Sequence, residues 1–413
     1  MVLLFAPVIA QAQAPATPPP VPASTWTGPW VGSWASSQQV PEPHNALPPE
    51  KLQNATLRQI VHLSAGGPWI RLRISNAFGT KPLHLTAVHV GRPLSTTSSR
   101  IDPASDHAVT FDGQSDVVIP MGADYLSDPL NFPVDPLSNL AITMQIEAVP
   151  SQQTGHPGSR ANSWIAQGVP ASAPELTSAQ TIEHWYFLSG VDVSAPAEAF
   201  AIVALGDSIT DGHGATTNAN DRWTDDLASR LQHTKASNQI AVLNEGIGGN
   251  RLLADGLGPN ALARFDRDVL AQTGVRYLIV LEGINDLGAL ARASDVTEEQ
   301  HEELVRRIIG AYQQIIARAH AHGIKVVGGT IMPFSGSDYY HPGPDNEKDR
   351  QQINAWIRTA GHFDAVVDFD KVMADPAHPD RLRPDFDCGD HLHPSPAGFR
   401  AMAEAIPLTL LQK

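Results

Sequence analysis

The chain has 413 residues, 42% of them hydrophobic, and a formal net charge of −15. That length accommodates two domains and the apolar content is enough to bury a sizeable core. Acidic residues outnumber basic ones, 43 to 28, with no run of Lys or Arg, which argues against a nucleic-acid partner or an anionic membrane surface, and the single cysteine, Cys388, excludes an intrachain disulfide and metal–thiolate clusters.

Val2 to Ala10 is an apolar run of signal-peptide length, followed by the small-residue pattern Ala10-Gln11-Ala12. It is too short to span a bilayer, so no stable membrane insertion is expected. No Lys or Arg precedes it, which leaves the true start of the leader open upstream. The Pro-rich stretch Pro15 to Pro22 reads as a linker. Residues 1–27 are therefore expected to be leader and linker, and the protein to be secreted or periplasmic.

From 28 to 195 the sequence reads as short strands separated by turn residues. Ile70 to Ile74 alternates apolar and polar, and Leu140 to Ile146 does so with one small residue out of phase. Such alternation puts one face on a core and the other toward water. Gly66-Gly67-Pro68, Phe78-Gly79 and Asp112-Gly113 punctuate the strands, and there is no helical stripe. An all-β sandwich of jelly-roll character is predicted.

After Ser194-Ala195-Pro196-Ala197 the pattern changes. Continuous apolar strands at Phe200 to Leu205, Ile240 to Leu243, Tyr277 to Leu281, Ile324 to Ile331 and Ala365 to Phe369 alternate with helical segments. Strands apolar on both faces belong in a parallel sheet covered by helices. Thr297 to His322 carries one helical stripe, opened by a capping box at Thr297–Gln300 and closed at Gly323. Pro396 to Leu411 reads as a last helix with Pro407 as a kink or early stop. Residues 196–413 are predicted to form a three-layer α/β/α domain of flavodoxin-like type with a five-stranded parallel sheet.

Four short blocks follow strand ends, where ligands bind in open α/β sheets. In Gly206-Asp207-Ser208-Ile209-Thr210-Asp211-Gly212, Ser208 is a candidate nucleophile, although a serine or threonine in such a turn equally caps a helix. No GxSxG is present, so the ordinary nucleophile elbow is absent. Gly246-Ile247-Gly248-Gly249 offers backbone N–H groups without side-chain obstruction and lacks the third glycine of a dinucleotide loop. Asn285, in Gly283-Ile284-Asn285-Asp286, is either an oxyanion donor or the start of an Asx-turn. In Asp390-His391-Leu392-His393 the i, i+3 spacing brings a carboxylate to an imidazole, as an acid–base pair requires, with His391 expected to point elsewhere. Four such residue types, each after a different strand's end, favour catalysis over four unrelated turns.

These blocks resemble those of the SGNH/GDSL hydrolases, from about Phe200 to the C-terminus. The resemblance implies metal-free and cofactor-free ester hydrolysis, a triad of Ser208, His393 and Asp390, and an oxyanion hole from the Ser208 N–H, the Gly249 N–H (Gly248 as the alternative) and Asn285. Asn220-Asp221-Arg222-Trp223, Gly249-Asn250-Arg251-Leu252-Leu253 and Ala263-Arg264-Phe265-Asp266-Arg267-Asp268 are similar to a bacterial branch of aryl- and acylesterases, some accompanying polysaccharide-degrading enzymes. Small-molecule or polysaccharide esters are the expected substrates, with short acyl chains favoured because no long apolar insertion suggests a lipid cap. Asp207, Arg251 and His156 are candidate substrate contacts. For Arg251 pairing with Asp255 or Glu282 is an equal alternative, and for His156 a place on a surface loop. Cys388 is expected to be a buried, inert thiol.

Two other classes compete. Asp207, Asn250, Asp385, Asp387, Asp390, His391 and His393 are residue types of a two-metal phosphoesterase, although no Asp-x-His ends the first strand. Trp30, Trp34, Trp69, Trp164, Trp185 and Tyr186 would suit a non-catalytic glycan-binding protein, with core packing their commoner fate.

Overall fold

The computed structural model describes residue 26, residues 28–148 and residues 150–411. The expected leader and Pro-rich linker lie, Trp26 apart, outside the described residues. Among the described residues, no helix is long and apolar enough to cross a membrane.

The parallel sheet is built from β1 (Phe200–Gly206), β2 (Ile240–Gly246), β3 (Val275–Leu281), β4 (Lys325–Gly329) and β5 (Ala365–Val367), in the order β2-β1-β3-β4-β5. The register sets Gly206 beside Gly246 on one side and Leu281 on the other, so β1, β2 and β3 end level. Their loops therefore leave the sheet side by side, at the point where the strand order reverses. Each strand is shorter or longer than its apolar run by one to three residues, because the ladder continues past the apolar residues into Asn244-Glu245-Gly246 but stops before Thr330.

The long helix spans Glu298–Ala321 with the predicted capping box at Thr297 and Gln300, and Gly323 follows it at φ +71°. Ile308, Tyr312, Ile315 and Ala319 are buried along its stripe; Leu304, Ile309 and Ile316 are partly buried at its margin. The last helix is Pro396–Glu404, ending before Pro407, and a 3₁₀ turn over Leu408–Leu411 replaces its expected continuation.

The N-terminal region contains a five-stranded and a seven-stranded antiparallel sheet. In Gly67–Ser75 the residues Ile70, Leu72 and Ile74 are buried and Arg71 and Arg73 half-buried, as alternation requires. Leu140 to Ile146 departs from its expected alternation: Ala141 and Thr143 are buried as well. Ala141 belongs to a second apolar cluster with Ile60, Trp164 and Leu176, and Arg58 donates to Thr143 Oγ1 at 2.8 Å.

The antiparallel region covers the edge of the parallel sheet. At edge strand β2, the Val242 amide donates to Ser64 Oγ at 3.0 Å. The Gly32 amide donates to Thr273 O at 2.9 Å, just before β3. An exposed strand edge is thereby closed, and one apolar core runs from Val31 to Leu411 through both regions.

The end of β2 is also held tightly against the chain leaving β1. A Cβ on Gly246 would meet the Asp211 amide nitrogen at 2.2 Å and its Cα at 2.7 Å, so only glycine fits without moving the backbone that follows Ser208. Gly246→Ala is expected to destabilise the protein by about 1–3 kcal/mol, read as a lower Tm by calorimetry. An unchanged Tm would show that this approach is loose.

Candidate active site

β1 passes directly into the short helix Ser208–Asp211. Its N-cap is Asp207, whose carboxylate accepts the Ile209 amide at 2.9 Å. Capping thus falls to Asp207, and the Ser208 side chain is available for another partner. Its Oγ lies 2.8 Å from His393 Nε2.

His393 Nδ1 is 2.6 Å from Asp390 Oδ2, while Asp390 Oδ1 accepts the amides of His393 at 2.8 Å and Leu392 at 3.0 Å. The i, i+3 spacing therefore closes into a turn that aims the carboxylate at the ring. Partial burial raises the Asp390 carboxyl, but the hydrogen bond and charge of His393 and the two amides outweigh it and hold it well below the ordinary carboxylate range. An ionised Asp390 keeps the proton on Nδ1 and leaves Nε2 to accept from Ser208.

Gly248, Gly249 and Asn285 line the same cleft as Ser208 and His393. Gly249 sits at φ +71°, and a Cβ there would meet Leu257 Cδ1 at 2.7 Å. Asn285 lies in the first turn of the helix Ile284–Ala291; its Nδ2 donates to Asn250 O at 2.7 Å, and its Oδ1 accepts from the Tyr340 hydroxyl at 2.6 Å. Burial pushes the Tyr340 phenol up, so it remains a donor and fixes the orientation of the amide. Next to it, Asp286 accepts the amides of Leu252 at 2.8 Å and Leu253 at 3.1 Å, tying the glycine-rich loop to the Asn285 helix.

One guanidinium organises these loops from below. Arg264, in the helix Ala261–Phe265, is fully buried and satisfies all its donors. Nη2 donates to Gly206 O at 2.9 Å and Glu282 Oε1 at 3.3 Å; Nη1 donates to Glu245 O at 2.6 Å and Asp268 Oδ2 at 3.0 Å; Nε donates to Asn250 Oδ1 at 3.0 Å. Ser37, from the N-terminal region, hydrogen-bonds the same Asp268 carboxylate. Burial raises the Glu245 and Glu282 carboxyls well above the ordinary range despite Arg264, whereas Asp268, shared between Arg267 and Arg264, is held below it.

The cleft above has a volume of about 970 Å³. Leu257, Ala289, Tyr339 and Leu392 form apolar wall, with Arg251 and Arg292 at its margin. The Arg292 guanidinium lies 4.9 Å over the exposed Tyr339 ring. Arg251 donates to the backbone carbonyl of Asp255, while Glu282, its other expected partner, is taken by Arg264.

Asp207 and His156 do not line this cleft. Asp207 is buried under the loop, and burial pushes its carboxyl up to about 7. His156 is not on a surface loop: its Nε2 is 2.8 Å from Asp211 Oδ1, its Nδ1 is 2.8 Å from Ser37 O, and its ring stacks on Trp185. The inward turn of that loop depends on a partner 55 positions away, which its own composition does not reveal. Cys388 is exposed rather than buried, yet partial burial of the thiol and the Asp390 carboxylate push it up to about 11, consistent with the expected inertness.

The residue types of a two-metal site are dispersed. His391 turns out to solvent with Nδ1 2.6 Å from Asp387 Oδ2, Asn250 is held by Arg264, and Asp207 caps its helix. Among the described residues, the side-chain groups close enough to share an ion are His213–Asp390–His393 and Asp387–Cys388–Asp390. In the first, both His393 nitrogens already face Ser208 and Asp390. The aromatic set proposed for glycan stacking is mainly core: Trp34, Trp164, Trp185 and Tyr186 are buried, and Trp30 and Trp69 half-buried. Sequence reasoning missed Tyr340 and His213 beside the site and assigned Arg264 no role; no local spacing signals them, since each acts on a residue distant in the chain.

Residues 204–401 match the GDSL-like Lipase/Acylhydrolase family. No curated protein is significantly similar to the chain. Solved structures with likeness include a GDSL-like lipase from Bacteroides thetaiotaomicron VPI-5482 (20% identity, 51% of this chain and 88% of that one, TM-score 0.38). An acetyl xylan esterase gives 20% identity over 50% of this chain and 97% of its own, with a TM-score of 0.37. A mutant of an acetyl-xylooligosaccharide esterase from Geobacillus Stearmophilus gives 20% identity over 52% and 94%, with a TM-score of 0.36.

Two outcomes test the buried network. Arg264→Met leaves the Gly206 and Glu245 carbonyls and Asn250 without their buried donor, and leaves Asp268 to Arg267 and Ser37 alone, so a loss of about 3–5 kcal/mol is expected in urea denaturation; a loss below about 1 kcal/mol would remove Arg264 from its central place. Asp207 is protonated in the fold at pH values where the unfolded chain has ionised it, so its contribution is present below about pH 4 and is lost as pH rises toward about 7. Asp207→Asn should therefore gain stability relative to the parent as pH rises through that window; parallel stability–pH curves would contradict the assignment.

Proposed function

We propose that the protein is a serine ester hydrolase in which Ser208, His393 and Asp390 carry the reaction through an acyl-enzyme, a reading supported by the match of residues 204–401 to the GDSL-like lipase/acylhydrolase family. The observation that carries this reading is the unbroken run of contacts from Ser208 Oγ to His393 Nε2, at 2.8 Å, and from His393 Nδ1 to Asp390 Oδ2, at 2.6 Å. His393 takes the Ser208 proton as Oγ attacks the ester carbonyl. The tetrahedral oxyanion collapses with expulsion of the alcohol, which takes the proton back from His393. Water, deprotonated by the same imidazole, then releases the acid. Asp390 stabilises the imidazolium at both stages.

For the oxyanion the donors are the Ser208 and Gly249 amides and the Asn285 side chain, with Gly248 the alternative to Gly249. One Asn285 Nδ2 hydrogen is engaged by Asn250 O, and the other is left for the developing charge. Tyr340 presets the amide, so no reorganisation is needed as the charge appears.

The cleft suits short acyl or aryl esters and acetylated carbohydrates. Its wall is apolar and open, and Tyr339 with Arg292 offers a surface for an aryl or sugar alcohol. Arg251 is the remaining candidate substrate contact. The chain is read as a leader and linker over 1–27, a jelly-roll-like sandwich over 28–195 and a three-layer α/β/α hydrolase domain over 196–413, secreted or periplasmic by its leader.

Ser208→Ala is expected to lower turnover of a p-nitrophenyl ester by about 10⁴-fold or more while leaving Tm unchanged. Retained turnover would dismiss the serine mechanism, and loss of wild-type activity in EDTA would favour a metal-dependent one. A chain-length series of aryl esters beside acetylated xylan should show activity falling beyond short acyl groups; rising activity with chain length would refute the substrate class.

A further inference from the structure

We infer that His213 and Arg160 are positioning residues that hold and tune the His393–Asp390 pair, a role that rests on the triad reading above. His213 follows the helix Ser208–Asp211, and its amide donates to Ser208 O at 2.8 Å. Its ring packs on the His393 ring with centroids 4.0 Å apart and planes inclined by 36°. Its Nε2 lies 3.7 Å from Asp390 Oδ2, the oxygen that also holds His393 Nδ1. On the opposite side, Arg160 Nη2 is 3.4 Å from His213 Nδ1. A guanidinium only donates, so Nδ1 is the acceptor and the ring proton sits on Nε2, facing Asp390.

Arg160 comes from the N-terminal region and is itself fixed. Its backbone sits at φ +47°, a left-handed conformation that a non-glycine residue keeps only when its surroundings impose it. Its carbonyl accepts the Asn218 amide at 2.8 Å, in the loop beyond His213. The antiparallel region therefore reaches the acid–base pair through Arg160 and His213.

The charged and titratable groups facing His213 are His393, Arg160, Asp390 and Asp211. Partial burial, followed by His393 and Arg160, pushes the ring down to about 4, so it is neutral at neutral pH. A neutral ring does two things. It walls one face of His393, which keeps the imidazole from swinging away from Ser208. Its Nε2–H dipole, with the nearby Arg160 charge, offsets part of the negative potential that Asp390 exerts on His393. Removing either should favour the protonated imidazole, so the base becomes unavailable at a higher pH.

The test uses the full chain and a neutral aryl acetate. His213→Ala should lower kcat about tenfold with KM changed by less than about twofold, because the wall is lost and the ester site is not. His213→Phe keeps a ring, and should restore kcat to within about threefold of the parent while moving the acid limb of kcat/KM up by about half a pH unit. Arg160→Gln should shift that limb in the same direction without losing the wall. A His213→Ala variant with near-parental kcat overturns the inference, as does a Phe variant as impaired as Ala with an unshifted limb. Wild-type turnover that does not depend on Ser208 would overturn the triad reading and this inference together, whereas Ser208-dependent turnover with unmoved acid limbs removes only the inference.

Discussion

The structure depends on Arg264. A guanidinium with no solvent must satisfy five donors at once, and here they reach the carbonyls at the ends of β1 and β2, the Glu282 carboxyl following β3, and the side chains of Asn250 and Asp268. Three strand ends are thereby pinned in one plane at the place from which the Ser208, Gly249 and Asn285 loops depart. A lysine, with three donors on a point charge, would not span that set. The cost is a buried charge among several carboxyls, met by leaving Asp268 ionised and the Glu245 and Glu282 carboxyls raised well above the ordinary range.

The N-terminal sheets complete this arrangement. Ser37 reaches Asp268 beneath Arg264, His156 reaches Asp211 one turn beyond Ser208, and Arg160 reaches His213. In the His156 contact, Nδ1 faces the Ser37 carbonyl and Nε2 faces the Asp211 carboxylate, which His156 holds down despite its burial. Together with the closure of the β2 edge, these contacts make the antiparallel region a support for the helix that carries the proposed nucleophile.

Above that platform the proposed chemistry needs little motion. Asp390 takes two amides from its own turn and one ring nitrogen, so its orientation is set before substrate arrives. Asn285 is set by Tyr340 and Asn250, from two other loops. Preorganised groups of this kind give up no energy to reorientation when charge develops.

Much of this was legible in the chain order of residues. Apolar runs marked the five parallel strands because most of their residues are buried in the sheet, and the capping box marked the long helix because its residues act within one turn. The Asp390–His393 pair was visible for the same reason, since a three-residue spacing closes locally. Leu140 to Ile146 misled where a second cluster buries its outer face, and His156 was read as a surface residue because the carboxylate that draws it inward lies 55 positions away. Sequence by itself determined the strand and helix grammar, the four blocks and their order along the chain, all consequences of local periodicity and turn chemistry. Only the tertiary structure decided that Asp207 rather than Ser208 caps the first helix, that Tyr340 orients Asn285, that Arg264 ties the strand ends together, and that His213 stacks on His393. Each of those is a contact between residues whose separation carries no local signal, and is created only when the sheet order brings their loops to one edge.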